Sequence, residues 1–173
     1  MTVTLLEHPT DWDWLQTKRR ALVTAGLDVK NPPDQKWKED RLNARHSPIR
    51  RLHFSFLMED IPYWLSVHLC RHVHAQPYVR SQRNDRQSAY DRNSAPQNAP
   101  VDMIWDMNAE ELMVVCNKRL CMTTAPETRM VVEEMRNLVV EACPEFNRFL
   151  VPNCEYHGGV CHEIKSCRKR VKG

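Results

Sequence analysis

The sequence predicts a single mixed domain of α-helices and β-strands, and three observations carry that prediction. Residues 50–58 alternate cleanly, with Leu52, Phe54, Phe56 and Met58 facing one way and Arg51, His53 and Ser55 the other. Residues 108–120 and 126–142 instead carry apolar stripes at helical spacing, the first through Leu112, Val115, Cys116 and Leu120. The chain's 173 residues, 42% hydrophobic and 27% charged, suit one domain with a modest core.

Taken in order, residues 2–6 read as a short strand. Asp11 or Asp13 is placed to cap a helix running to about Ala25, with Trp14, Leu15, Ala21 and Leu22 on its apolar side and Gly26 ending it. Asn31-Pro32-Pro33-Asp34 is a turn, and a short helix over residues 35–43 follows. After the alternating strand, Asp60 is expected to cap a helix with Pro62 in its first turn. That helix puts Trp64, His68 and His72 on one face and Arg71 and His72 in its last turn, where positive charge complements the dipole. Residues 80–100 are almost wholly polar, so 87–100 reads either as disorder or as a loop ordered by a ligand, with Tyr90 its only aromatic. The helix over 126–142 starts at Pro126 and buries Met130, Val131, Met135, Leu138, Val139 and Ala142 before Pro144 ends it. A short helix over 145–150 closes the domain. The domain is bounded at residues 1–152, leaving 153–173 as a basic tail rich in Cys and His.

A net charge of +3, with a pI of about 8.5, is too weak by itself to argue for nucleic acid. No apolar run reaches membrane-spanning length, and residues 1–4 lack a signal-peptide pattern, so a cytoplasmic protein without a membrane partner is expected. Seven cysteines, an odd number, argue against a disulfide framework. With four glycines and no glycine-rich phosphate loop, any phosphate must be held by arginines. The densest supply lies in residues 69–86, which hold Arg71, Arg80, Arg83 and Arg86 with His72, His74, Gln76, Ser81 and Gln82. Guanidinium forks suit phosphate and carboxylate because paired N–H groups match two oxygens. The stretch is therefore an anion site or a solvated basic loop.

The spacing Arg71-His72-Val73, seven residues, then Ser81-Gln82-Arg83 resembles the signature of the flavin-dependent thymidylate synthases. Arg45-His46-Ser47-Pro48, Phe54-Ser55-Phe56, Asn108-Ala109, Asn117-Lys118-Arg119-Leu120 and Pro126-Glu127-Thr128-Arg129 extend the likeness over roughly residues 40–150. The resemblance implies a mixed α/β fold assembled as a homotetramer. It implies reductive methylation of dUMP, with FAD as cofactor and NADPH and methylenetetrahydrofolate as co-substrates. It assigns Arg71, His72 and, less directly, His53 to the flavin, and Ser81 and Arg83, from a neighbouring subunit, to the nucleotide. Gln82 and Arg80 beside them are further candidate nucleotide contacts, Arg80 and Arg86 as compensation for departures from the pattern. Arg119, Arg129 and Arg136 are further phosphate, cofactor or base contacts, or ordinary helix-surface arginines. His72 is otherwise a satisfied interfacial histidine. The family pattern has an arginine at Val73, a glutamine at His68, an aromatic at Asn84, an arginine at Glu110, and its base-pairing arginine at Asn137, one place from Arg136. These departures leave room for another pyrimidine nucleotide as substrate, or for nucleotide binding without turnover.

The tail offers a separate chemistry. Cys154, Cys161 and Cys167 with His157 match the ligand types of a closed structural zinc site, although the spacing lacks tight C-x2-C knuckles; free thiols on a loop are the alternative. With the basic run 168–172, that reading leads to a small zinc-stabilised nucleic-acid-binding module, a different class from the enzyme.

Overall fold

The computed structural model describes residues 1–83, 85, 86 and 91–167. Asn84, Tyr90 and the basic run 168–172 lie outside the described residues, as does part of the polar span 87–100. Four strands, β1 (Thr2–Glu7), β2 (His53–Pro62), β3 (Gln76–Val79) and β4 (Pro100–Asn108), form one antiparallel sheet in the order β1-β2-β4-β3. Phe56 of β2 stands opposite Leu5 on one side and Trp105 on the other. Phe54, Phe56, Met58, Val101, Met103, Trp105 and Met107 are all buried on one face of these two central strands. Against that core lie the helices α4 (Ala109–Arg119) and α5 (Pro126–Ala142), with α1 (Asp11–Val23), α2 (Gln35–Asn43), α3 (Tyr63–Leu69) and α6 (Asn153–Tyr156) around them. The other face keeps a cross-strand row of Thr4, Leu57, Ile104 and Tyr78, of which Ile104 and Tyr78 are 37% and 58% exposed.

Local chemistry explains where elements begin and end. Thr10, not Asp11 or Asp13, caps α1: its hydroxyl accepts from the Asp13 N–H, and the Asp13 carboxylate accepts from the Thr10 N–H at 3.0 Å. The helix ends at Val23, and Gly26 takes the left-handed φ of +65° in the turn beyond. Only Trp14 and Thr17 are fully buried on α1; Leu15, Ala21 and Leu22 are half-buried. Arg50 and Arg51 belong to a short 3₁₀ turn (Ser47–Arg51), so β2 starts at His53 and runs on to Pro62.

Asp60 caps nothing. It sits at a bulge in β2 with φ +54°, its N–H donating to the Asp102 carboxylate at 3.2 Å. Strand pairing with β4 carries β2 past the capping signal. The first N–H groups of α3 are instead satisfied by the polar span, since Tyr63 donates to the Ala99 carbonyl and Trp64 to that of Gln97. The end of that span is thereby docked on the domain. Because α3 ends at Leu69, Arg71 and His72 lie in the turn after it and not in its last turn.

On α5, Val131, Met135 and Val139 are buried as expected, but Met130 is 57% exposed and Ala142 is exposed, while Thr128 and Val132 face inward. The segment expected as a helix over 145–150 is a 3₁₀ turn, Pro144–Phe146, followed by a further turn over 147–149. Residues 153–156, placed in the tail by composition, form α6 and pack on α4.

Candidate functional site

Two hollows open at the C-terminal end of α4. The first, of about 390 Å³, is lined by Leu120, Met122, Arg129, Glu133, Arg136 and the segment Leu150, Val151, Pro152, Glu155. The second, of about 380 Å³, is lined by His68, His72, Lys118, Arg119, Thr123, Thr124, Ala125 and Glu163. Helix α5 supplies Arg129, Glu133 and Arg136 at spacings of four and three, which places them on one face. Arg136 is held by donating from Nε to the Leu150 carbonyl at 3.2 Å and from Nη2 to Asn147 Oδ1 at 2.6 Å. Arg129 Nη1 contacts Met122 Sδ at 3.2 Å.

The segment that walls the first hollow is fixed by Asn117. Its amide donates to the carbonyls of Phe149 at 3.3 Å and Val151 at 2.7 Å, and its Oδ1 accepts from Arg45 Nη2 at 2.7 Å. Arg45 lies over the Tyr156 ring, 4.9 Å from its centroid, and so ties α6 to the same node. The sequence motif Asn117-Lys118-Arg119-Leu120 thus divides its work. Asn117 faces the core, Arg119 one hollow and Leu120 the other.

In the second hollow His72 is buried, and both ring nitrogens are engaged. Nε2 accepts from Arg119 Nε at 3.0 Å, and Nδ1 meets Glu111 Oε1 at 3.1 Å. Its ring stands edge-on to Trp105 of β4, 5.9 Å away. Arg119 also donates from Nη2 to the His68 carbonyl at 3.1 Å. Burial, and next the charge of Arg71, hold the Arg119 guanidinium below its ordinary value. Glu111 is the site residue that sequence reasoning missed. Asn108-x-x-Glu111 reads as a capping box, and Asn108 does accept the Glu111 N–H at 3.0 Å. The Glu111 carboxylate, however, turns to His72.

The remaining expected residues lie apart from these hollows. Arg83 forms a two-pronged pair with Asp85 (2.9 and 2.6 Å), and its N–H donates to Ser81 Oγ at 3.3 Å. Gln82 lies between them and is half-buried. Arg80 reaches Asp102 at 3.5 Å, and Arg71 is exposed. His53 and Arg51 stand beside Asp13. Burial raises the Asp13 pKa, but the hydrogen bonds from Thr10 and these two positive neighbours outweigh it and leave it lowered. Glu110, at the position where the family pattern has an arginine, pairs with Arg50.

The expected zinc set does not assemble: among the described residues no group of three or more His, Cys, Asp and Glu side chains is placed to hold a metal ion. His157 packs edge-on against Tyr156 and His162 and lines a different hollow, beside Arg45. Cys154, Cys161 and Cys167 line a small space with Cys121, His162 and Glu163. No helix among the described residues is long and apolar enough to cross a membrane.

A four-stranded antiparallel sheet carrying α4 and α5 on its buried face, with two arginine-lined hollows at one end, defines the fold class. The chain has the fold of the flavin-dependent thymidylate synthases. The flavin-dependent thymidylate synthase ThyX from Helicobacter pylori, complexed with FAD and dUMP, matches with a TM-score of 0.69 at 13% identity, over 89% of this chain and 99% of that one. A second structure of the same enzyme with FAD and dUMP matches equally well, over 90% and 99%. The UMP/dUMP methylase PolB from Streptomyces cacaoi, bound with 5-Br dUMP, also gives 0.69, at 17% identity over 86% of this chain and 93% of that one. The family described as thymidylate synthase complementing protein matches residues 86–145, so the family likeness read from the sequence is borne out there. No curated protein matches the chain.

Proposed function

We propose that this protein is a flavin-dependent enzyme that methylates a uridylate nucleotide, and that dUMP is its substrate. The observation that supports this best is the hollow on α5, where Arg129 and Arg136 share a wall with Glu133. Two guanidinium groups suit a nucleotide phosphate, and a nearby carboxylate suits the N–H and O–H donors of base and sugar. The relatives of this fold that were solved with FAD and dUMP, or with 5-Br dUMP, point to the same class of ligand.

The second hollow fits the diphosphate of FAD. Its donor set is Arg119 with Lys118 and the Thr123 hydroxyl, the kind of set that a diphosphate needs where no glycine-rich loop exists. Arg71, exposed at the turn that carries His72, adds positive charge toward Arg119. Bound FAD supplies the reducing equivalents, with NADPH and methylenetetrahydrofolate as their source and the source of carbon. The protein's own work is to hold the two phosphates, orient the base and keep water from the reacting face. Arg80, Ser81, Gln82 and Arg83 lie on a loop away from both hollows and would act on the site of a neighbouring subunit. The apolar row ending in Ile104 and Tyr78 offers a sheet face for such assembly into a homotetramer.

Glu133 and Glu155 at the nucleotide hollow favour a second reading, in which the substrate is another pyrimidine nucleotide with more hydroxyl donors than dUMP. The zinc-stabilised nucleic-acid module has no comparable support, given the unassembled cysteine and histidine set.

The experiment is to purify the protein, record its flavin absorbance and measure tritium release from C5-tritiated dUMP and UMP with reduced flavin and methylenetetrahydrofolate. Release from dUMP supports the first reading, and release from UMP alone the second. Protein that binds neither FAD nor either nucleotide refutes both.

A further inference from the structure

The geometry points to His72 and Glu111 as positioning residues that aim Arg119 at an anionic ligand, with neither ring nitrogen of His72 left to bind it. The inference rests on the reading of Arg119 as a diphosphate contact but can be tested apart from it. An arginine Nε always carries hydrogen and only donates, so His72 Nε2, 3.0 Å from Arg119 Nε, must be the acceptor. The imidazole is then the tautomer protonated at Nδ1, and that N–H donates to Glu111 Oε1 at 3.1 Å. Neither ring nitrogen is left to meet a flavin. The ring is fixed from its other surroundings as well. The His72 N–H donates to the Leu69 carbonyl, Ala75 donates to the His72 carbonyl, and Trp105 stands against the ring.

The consequence falls on Arg119. Two of its three nitrogens are committed, Nε to His72 and Nη2 to the His68 carbonyl, so the plane of the guanidinium is set before any ligand arrives. Lys118 in the same hollow is offset by Glu163 at 3.8 Å. The guanidinium, partly desolvated and beside Arg71, gains from an anion what burial and that like charge take away. A preset fork loses less freedom on binding than a free arginine, which is how second-row residues raise affinity without contact.

Nitrogen NMR of histidine-labelled wild-type protein should show His72 as the neutral tautomer protonated at Nδ1. The Arg119 Nε–H should be protected from exchange in wild type and in His72→Gln, which keeps one acceptor and one donor, and unprotected in His72→Leu. FAD affinity should follow the same order: within about threefold of wild type for His72→Gln and weakened about tenfold for His72→Leu. A His72 protonated at Nε2, or an Arg119 Nε–H equally protected in His72→Leu, overturns the inference. So does FAD lost as fully from His72→Gln as from His72→Leu, which would mean direct contact. If wild type binds no FAD, the functional reading fails, while the NMR measurements still decide the positioning role. They also decide it if His72→Leu does not fold, through the wild-type tautomer and the His72→Gln exchange.

Discussion

Asn117 offers a test that joins stability to the site. It is 4% exposed and makes three hydrogen bonds, one to Arg45 and two to the carbonyls of Phe149 and Val151. Replacing it by Leu keeps the volume and removes all three, leaving two carbonyls and a guanidinium short of a partner. At about 1 kcal/mol net for each bond, the loss should be about 3 kcal/mol. For a domain of this size that corresponds to a fall in Tm of roughly 6–12 °C. Asn117→Asp should cost at least as much, because it keeps the Arg45 contact but sets a carboxylate oxygen against two carbonyls. Urea unfolding of both variants measures the loss. The segment freed is the wall of the hollow on α5, so under the proposed function nucleotide binding should weaken more than FAD binding in Asn117→Leu. A loss below about 1 kcal/mol would show that the node does not hold the wall, and the reasoning would fail.

Four further outcomes follow from single features. Arg136→Ala should weaken dUMP binding at least tenfold in titration calorimetry. Arg83→Ala should leave stability within about 0.5 kcal/mol, since both members of its pair with Asp85 are about 60% exposed. Cys116 and Cys143, whose thiols burial pushes up to about 12, should resist a thiol reagent until the protein unfolds, while Cys121, Cys154, Cys161 and Cys167 label in the folded state. Asp13 has a folded-state pKa below its ordinary 3.8, so its stabilisation is present above that value and lost as pH falls through the folded one. The stability gap between wild type and Asp13→Asn should therefore close on acidification below pH 3.8, and a gap unchanged there would contradict the Asp13 assignment.

The elements that could be read in the sequence were those whose local signals and burial agree. Helix α4 is capped by Asn108, α5 begins at Pro126, and both carry stripes that the core accepts. Strand β4 also alternates, with Val101, Met103, Trp105 and Met107 inside, but the long polar span before it hides the pattern. Strand β3 is four residues long and contains Pro77, so nothing local marks it. It exists because β4 offers an edge. Asp60 shows the reverse failure, a strong capping residue overruled by ladder pairing. At the site, Arg129, Arg136 and Arg119 do line hollows, whereas the loop arginines do not, because topology and not spacing decides which arginines converge.

The density of arginines around residues 69–86 implies a demand for an anion, and the structure shows that the protein meets much of that demand itself. Arg83 is paired with Asp85, Arg80 with Asp102, and Arg119 is linked through His72 to Glu111. These pairs differ in kind. An exposed ion pair contributes about 0–1 kcal/mol, so Asp85 and Asp102 can give way to a phosphate at little cost. The buried link through His72 cannot be exchanged so cheaply, because breaking it strands Glu111 at 5% exposure without its donor. The same motif therefore divides into two kinds of pairing. Its second half, Ser81-Gln82-Arg83, keeps its charge in a displaceable pair on a loop. Its first half commits His72 to the interior, so that the guanidinium lining the hollow there belongs to Arg119, a residue the motif does not contain.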